Sequence, residues 1–293
     1  MSLVVNTNIA SMNAQRSLMS SSKELQSAME RLSTGKKINS AADDAAGFAI
    51  AESMTAQVRG LSMAAKNAND ALGLLKVVEN ATNDVTDMLQ RIRELAVQAQ
   101  SGTNSAGDIA NLQLEADALI DEITRVSEDT TFNGVAYLGA GAGTVNVQVG
   151  YNDGDVIAVT TYAIDAQSLG LDFAVAGTLD YFLEAANGTK LDISSVAPSD
   201  GSAPGALDII SAAIDQVASY KAEWGAGQNR LQYTVSNLMN VVEFTTAARS
   251  RIQDADFAVE AARLAKAQVL QQTGTAMLAQ ANAAPQLALQ LLK

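Results

Sequence analysis

The feature that most constrains this chain is a hydrophobic period held over dozens of residues. Met54, Val58, Leu61, Ala65, Ala68, Leu72 and Leu75 recur at alternating intervals of four and three. Val78 comes one residue early, and Ala81, Val85, Met88, Ile92, Leu95 and Ala99 resume the alternation. Such spacing keeps one stripe on one face of a helix, so the pattern predicts a single long helix with a register slip near Leu75. A shorter stripe, Ile109, Leu112, Ala116, Leu119, Ile123 and Val126, follows the break "SGTNSAG" and predicts a second helix about half as long. A third stripe runs from Leu207 through Ile210, Ile214, Val217, Trp224, Leu231, Val235, Leu238 and Val242 to Thr245, across "WGAGQ". Gly225 and Gly227 mark a kink in it or a close approach of another helix. At ~1.5 Å per residue the first and third helices each reach roughly 65–70 Å, so they can lie side by side.

The second helix is too short to cover such a pair, and "TVNVQVGYNDGDVIAVTTY" offers the missing cover. Val145, Val147 and Val149 alternate with polar residues, "YNDGD" is turn chemistry, and a second strand is expected from Val156 to Tyr162. The fold class is therefore mainly α: a long antiparallel helical bundle or coiled coil with a β-hairpin region. Residues 174–204 lack helical period and end in Pro, Ser and Gly, which predicts a short surface insert.

Both chain ends carry apolar residues of their own. Leu18, Leu25 and Leu32 repeat every seven residues, with Met12, Met19 and Met29 beside them. Leu264, Leu270, Met277 and Leu278 dot an Ala/Gln-rich segment that finishes in "PQLALQLLK", with Leu287 and Leu291 four apart. Chain ends normally fray. Apolar ends need something to pack against, and charge says what they can tolerate. Of the net charge of −13, residues 1–42 contribute +3 and residues 251–293 contribute +1, which leaves −17 between them. An acidic middle disfavours nucleic acid and anionic membrane as partners. Near-neutral ends suit contact with copies of themselves.

Several chemistries are excluded. Without His or Cys there is no Ser-His-Asp or Cys-His catalysis, no ordinary zinc site and no disulfide frame. No apolar run approaches a membrane span, and "MSLVVNTNIASMNAQ" has neither the basic start nor the apolar core of a secretory signal peptide. "GAGAG" at 139–143 precedes a strand pattern with no Lys, so it reads as a loop rather than a phosphate cradle. "NDGD" at 152–155 lacks the other ligands of a calcium loop. Asp43 and Asp44 sit where acids favour a helix start. Asn187, in the N-x-T sequon of the insert, is a possible glycan acceptor. No cofactor and no enzymatic activity are expected.

One stretch supports two readings. In "QRIRELAVQAQSGTNS", Arg91, Leu95 and Gln98 fall on one helical face, and the second helix brings Glu115 near them. Leu95 also belongs to the apolar stripe, so a structural role competes with a recognition role.

With these residues in view the chain resembles bacterial flagellin. The likeness rests on "VNTNIASMNAQRSL", "ERLSTGKKINSAADDAAGFAIA", "KNANDAL", "LQRIRELAVQAQSGTNS" and "FNGVAYL" in the first half. In the second half it rests on "QVGYNDGD", "SLGLD", "QNRL", "ARSRIQDADFA", "QVLQQTGTAMLAQAN" and "PQLALQLLK". It covers nearly everything outside residues 174–204.

The resemblance implies an inner domain of paired terminal helices, residues 1–42 and 255–293, lining a filament channel. Around it would lie a domain made of residues 43–173, with the hairpin, and the returning helix 205–254; residues 174–204 stand where larger relatives carry bulky outer domains. It implies a subunit that polymerises with itself, is exported unfolded through the flagellar type III secretion channel, and functions outside the cell in the flagellum. Implied partners are an export chaperone and the secretion apparatus, the filament cap and the hook-junction proteins. Arg91, Leu95, Gln98 and Glu115 match the positions by which such monomers are recognised by the Toll-like receptor for flagellin, on a face also used between subunits. A hook-filament junction protein of the same family is the nearest alternative. A chemoreceptor-like helical signalling hairpin is a more distant one, since it would not need matching apolar ends.

Overall fold

The computed structural model describes residues 7–172, 190–196 and 205–291. Five helices carry it: α1 (Ile9–Thr34), α2 (Ala45–Ala99), α3 (Ala106–Asp129), α4 (Ala206–Gln253) and α5 (Phe257–Leu291). Two strands, β1 (Thr144–Gln148) and β2 (Val156–Thr160), form an antiparallel hairpin with Thr144 opposite Thr160 and Gln148 opposite Val156. The chain divides into two compact units, residues 60–240 and residues 1–59 with 241–293.

In the unit of residues 60–240, the long stripe of α2 is buried as its period predicts. Helix α2 runs unbroken through Leu75, and the register slip shows as a doubly buried step, Leu74 and Leu75 together. Beyond it Leu89, rather than Met88, takes the buried position, followed by Ile92, Leu95, Ala96 and Ala99. Helix α3 starts on a reciprocal cap that satisfies two otherwise orphaned donors: Asp108 N–H donates to Ser105 Oγ (3.2 Å) and Ser105 N–H to Asp108 Oδ2 (3.0 Å). Its Ala116, Ile120 and Ile123 complete the core together with Ile210, Val217, Trp224 and Leu231 of α4.

The hairpin is the expected cover. Val147, Ile157 and Val159 point into the core while Val156 and Ala158 face out, the alternation a half-buried strand requires. Trp224 is fully buried yet donates its indole N–H to Thr160 O at 2.9 Å, so its one polar atom is satisfied. Gly60 is a close-approach glycine, since a Cβ there would lie 2.8 Å from Cβ of Tyr151 in the hairpin turn. Neither Gly225 nor Gly227 interrupts α4. Gly227 meets Leu75 at an ordinary 3.6 Å from the position its Cβ would take.

The surface insert does not extend over residues 190–196. Leu191 and Ile193 are buried, 4% and 0% exposed, and join the core. Gln113 of α3 reads this segment as a neighbouring strand would, donating to Leu191 O (2.9 Å) and accepting from Ile193 N–H (3.0 Å). Lys190 pairs with Asp121 (2.6 Å), Leu191 N–H reaches Leu171 O (3.0 Å), and Ala206 N–H reaches Ser195 O (3.0 Å). Two apolar residues spaced by two, in "LDI", are the whole sequence signal for this strap, too short to stand out from its loop-like flanks.

In the other unit α1 and α5 pair antiparallel. Asn8 Nδ2 donates to Ala281 O (2.8 Å) near one end, and Arg31 meets Glu260 (3.2 Å) near the other. The breaks between helices lie against each other: Lys37 N–H donates to Gln253 O (2.6 Å) and Ala255 N–H to Gly35 O (2.9 Å). Gly35 ends α1 in the left-handed conformation, φ 70°, where a Cβ would be strained. The backbone of α5 continues through Pro285 to Leu291, although that residue supplies no N–H to the helix.

Candidate assembly and recognition surfaces

The α1/α5 pair has little interior. Among the described residues of these two helices the buried ones are Ser11, Ser21, Ala28, Glu260 and Ala267; the apolar members are both alanines. Leu18, Leu25 and Leu32 of α1 and Leu264 and Leu278 of α5 are all half-buried. Leu287 and Leu291 lie on the α5 backbone, and their side chains fall outside the described residues, as does Asn187. Outward-facing apolar residues are numerous: Ile9, Met12, Met19 and Met29 on α1, and Phe257, Val259, Val269, Leu270 and Met277 on α5. A groove of ≈ 600 Å³ runs between the helices, lined by Ser17 and Ser21 on one side and Leu270, Gly274 and Met277 on the other. Leu18 packs over Gly274, where a Cβ would come within 3.2 Å of Leu18 Cδ1.

One charge is buried there. Glu260, 4% exposed, accepts from Arg31 at 3.2 Å and from Arg263 at 2.8 Å. Small side chains slide past one another easily, so a paired buried charge is the kind of contact that fixes axial register. A lone acid in an Ala-rich stretch, with Arg263 three residues on, was its sequence signal.

The second surface lies on α2 and α3. Arg91 donates through Nε (2.9 Å) and a terminal nitrogen (2.8 Å) to one oxygen of Glu115, and to Glu94 at 3.0 Å. These carboxylates, Glu115 foremost, push the guanidinium pKa above its ordinary value, so the charge is permanent. Gln98 is exposed on the same helix, and its carbonyl accepts from the side chain of Asn104. Leu95 is placed differently: it is 1% exposed and belongs to the core. The exposed apolar residues beside this patch are Leu114, next to Glu115, and Val97, next to Gln98. Of the four residues read from the sequence, Arg91 and Glu115 are in contact, Gln98 lies exposed on α2, and Leu95 lies beneath.

Among the described residues no helix is long and apolar enough to cross a membrane, and no three acidic side chains are grouped to hold a metal ion.

Residues 5–142 match the family described as the bacterial flagellin N-terminal helical region, and residues 207–292 match the bacterial flagellin C-terminal helical region. The chain belongs to the flagellin family. It is 41% identical to a flagellin of Xenorhabdus nematophila over 313 aligned residues, covering all of both chains. It is 38% identical to a flagellin of Halalkalibacterium halodurans over 291 residues, covering 99% of this chain and all of that one. Flagellin A of Vibrio anguillarum aligns over 383 residues at 34% identity, again end to end, so the 293-residue chain is a short form. A crystal structure of Bacillus cereus flagellin matches 59% of this chain and 88% of its own at 27% identity, with a TM-score of 0.43, too low to bear on the fold. As a flagellin, the chain is a structural filament subunit of the bacterial flagellum, a polymer that lies outside the cell.

Proposed function

We propose that this flagellin polymerises by packing α1 and α5 against the same helices of neighbouring copies, and that the pair becomes fully ordered only there. The observation that carries this is the α1/α5 interior: two buried alanines, with Leu18, Leu25, Leu32, Leu264 and Leu278 half-covered and Leu270 exposed. Ordering a residue costs ~1–2 kcal/mol in backbone entropy. Full burial of a Leu returns roughly 1.5–3 kcal/mol. A two-helix pair that only half-buries its leucines is a marginal structure, and neighbours that finish the burial make assembly and folding one event.

The same marginal stability suits export of an unfolded chain through the flagellar type III secretion channel, with an export chaperone shielding the apolar ends. The filament cap and hook-junction proteins would meet the same surfaces at the two ends of the polymer. The exposed Arg91–Glu115 pair with Gln98 is a rigid charged patch available on the monomer, and we assign to it recognition by the innate immune receptor for flagellin. Leu95 serves that patch from below.

Hydrogen exchange compared between full-length monomers and sheared filaments tests the assembly reading. Slow exchange across residues 9–34 and 257–291 only in filaments is the expected result. Equal protection of both segments in verified monomers would refute coupled folding.

A further inference from the structure

We propose that Tyr162 and Tyr220 are an oxidative cross-linking site, where a one-electron oxidant joins the two rings into a dityrosine that ties the segment after β2 to α4. The rings are nearly parallel, 6° between planes, with centroids 4.0 Å apart. Tyr162 follows the last residue of β2 by two positions, and Tyr220 lies within α4. Because the faces rather than the edges are in contact, the π-orbitals of the carbons ortho to each hydroxyl point at the opposite ring. Both hydroxyls have partners on α4. Tyr162 Oη donates to Glu223 Oε2 at 2.7 Å, and Tyr220 Oη accepts from Gln216 Nε2 at 2.6 Å. The Glu223 carboxylate raises the pKa of the Tyr162 phenol, so at neutral pH that phenol keeps its proton until it is oxidised. Among the described residues no other two tyrosines are stacked; the remaining ring contact is Tyr220 with Trp224 at 6.2 Å. Tyr151 and Tyr233, 52% and 79% exposed, meet an oxidant sooner, but with no tyrosine stacked on them they couple only with another molecule.

Two equivalents of the oxidant each take one electron. Tyr162 passes its phenolic proton to Glu223 as its electron leaves, and Tyr220 passes its own to water. In each phenoxyl the unpaired electron is shared with the ring carbons ortho to oxygen. One such carbon from each ring contributes one electron to a new C–C bond, formed along the direction in which the rings already face. The hydrogen on each of those carbons then leaves as a proton and each oxygen regains one, which restores both phenols. The pair has lost two electrons and two protons, and the oxidant has gained the two electrons. No cysteine exists in the chain to intercept the radicals. The product requires the rings to turn out of their stack. Tyr162 has room for this, since residues 161–164 belong to neither a helix nor a strand and both rings are only half-buried.

The test illuminates full-length monomers with tris(bipyridine)ruthenium(II) and persulfate, which generates the ruthenium(III) one-electron oxidant, and follows dityrosine fluorescence. Trypsin cuts after Arg125, Lys190 and Lys221, so Tyr162 falls in peptide 126–190 and Tyr220 is the one tyrosine of peptide 191–221. Mass spectrometry should find these two peptides joined, two hydrogens lighter than their sum, with the bond at Tyr162. The joined fraction should stay constant when protein and reagents are diluted together, as a bond within one molecule requires. Tyr162→Phe and Tyr220→Phe keep both rings, and each should lower the joined product at least about tenfold; Tyr151→Phe with Tyr233→Phe should leave it unchanged. Glu223→Gln should slow its formation at neutral pH. Joined peptides that persist in Tyr162→Phe overturn the proposal, as does a joined fraction that falls with dilution. So does a wild-type chain whose dityrosine lies elsewhere, a result that stands even if a phenylalanine variant fails to fold. An unchanged rate in Glu223→Gln removes that carboxylate from its role as proton acceptor.

Discussion

Replacing Leu95 by alanine distinguishes a residue that touches a receptor from one that holds the touching residues in place. The side chain is 1% exposed within a core that α2 shares with α3 and α4. Truncating a buried Leu costs ~2–5 kcal/mol, the spread reflecting how far the site collapses. For a unit of this size each kcal/mol lowers the midpoint of thermal unfolding by roughly 2–4 °C, so Leu95→Ala should melt about 5–20 °C below wild type. Arg91→Ala removes hydrogen bonds to Glu115 and Glu94 at the surface and should leave the midpoint nearly unchanged. Receptor-reporter assays run well below both midpoints supply the other axis. Arg91→Ala should lose potency at full stability. Leu95→Met conserves volume, costs less than about 1.5 kcal/mol, and should keep potency. Calorimetry showing Leu95→Ala as stable as wild type would sink the argument, as would a stable Leu95→Met that no longer signals.

Three further outcomes are expected. Glu260→Leu alone strands Arg31 and should destabilise α1/α5 pairing by ~3–5 kcal/mol, while Arg31→Met with Glu260→Leu recovers most of the loss; polymerisation and hydrogen exchange of both variants check this, and no recovery would mean the pair is not what fixes the register. A folded tag inserted between residues 197 and 203 should leave filaments intact, because Ser195 O and Ala206 N–H hold the flanks together, whereas the same tag between Leu191 and Ile193 should abolish them; microscopy in cells lacking other flagellins reads the result. Asp43 and Asp108 are held below the ordinary carboxyl value of 3.8, the first by backbone N–H groups of Ser40 and Asn39, the second by the Ser105 hydroxyl and N–H. Folded values below unfolded ones mean a contribution present above about pH 4 and lost as pH falls through the lowered values. Amide protection in the first turns of α2 and α3 should therefore fade in acid, and Asp108→Asn should flatten that dependence for α3.

The architecture was legible wherever an apolar stripe was long enough to average out single residues. Over α2 the period located the buried face; of the positions it chose, Met88 is half-buried against the core while its neighbour Leu89 lies fully inside. The hairpin was legible because alternation and turn chemistry agreed. The strap at 190–196 was not, since its signal is two residues and part of its backbone pairing comes from the Gln113 side chain, far away in the sequence. At the Arg91–Glu115 patch the helical spacing put Arg91 and Gln98 on one face of α2, but spacing alone could not say that Leu95, between them, points inward. Periodicity gives a face; burial depends on what lies across from it.

The antiparallel match of α1 with α5 joins residues that are far apart along the chain: 273 positions separate Asn8 from Ala281, and 229 separate Arg31 from Glu260. Closing a flexible loop of that length costs about 3 kcal/mol more than closing one of ten residues. A newly released chain that tried to zip its ends first would meet this penalty with only half-buried leucines to offset it. Folding of residues 60–240 removes most of the intervening slack, and only afterwards do the ends have each other at high local concentration. The kinetic order follows from the topology: the middle condenses, and the two ends, which have the longest wait for a partner, zip last.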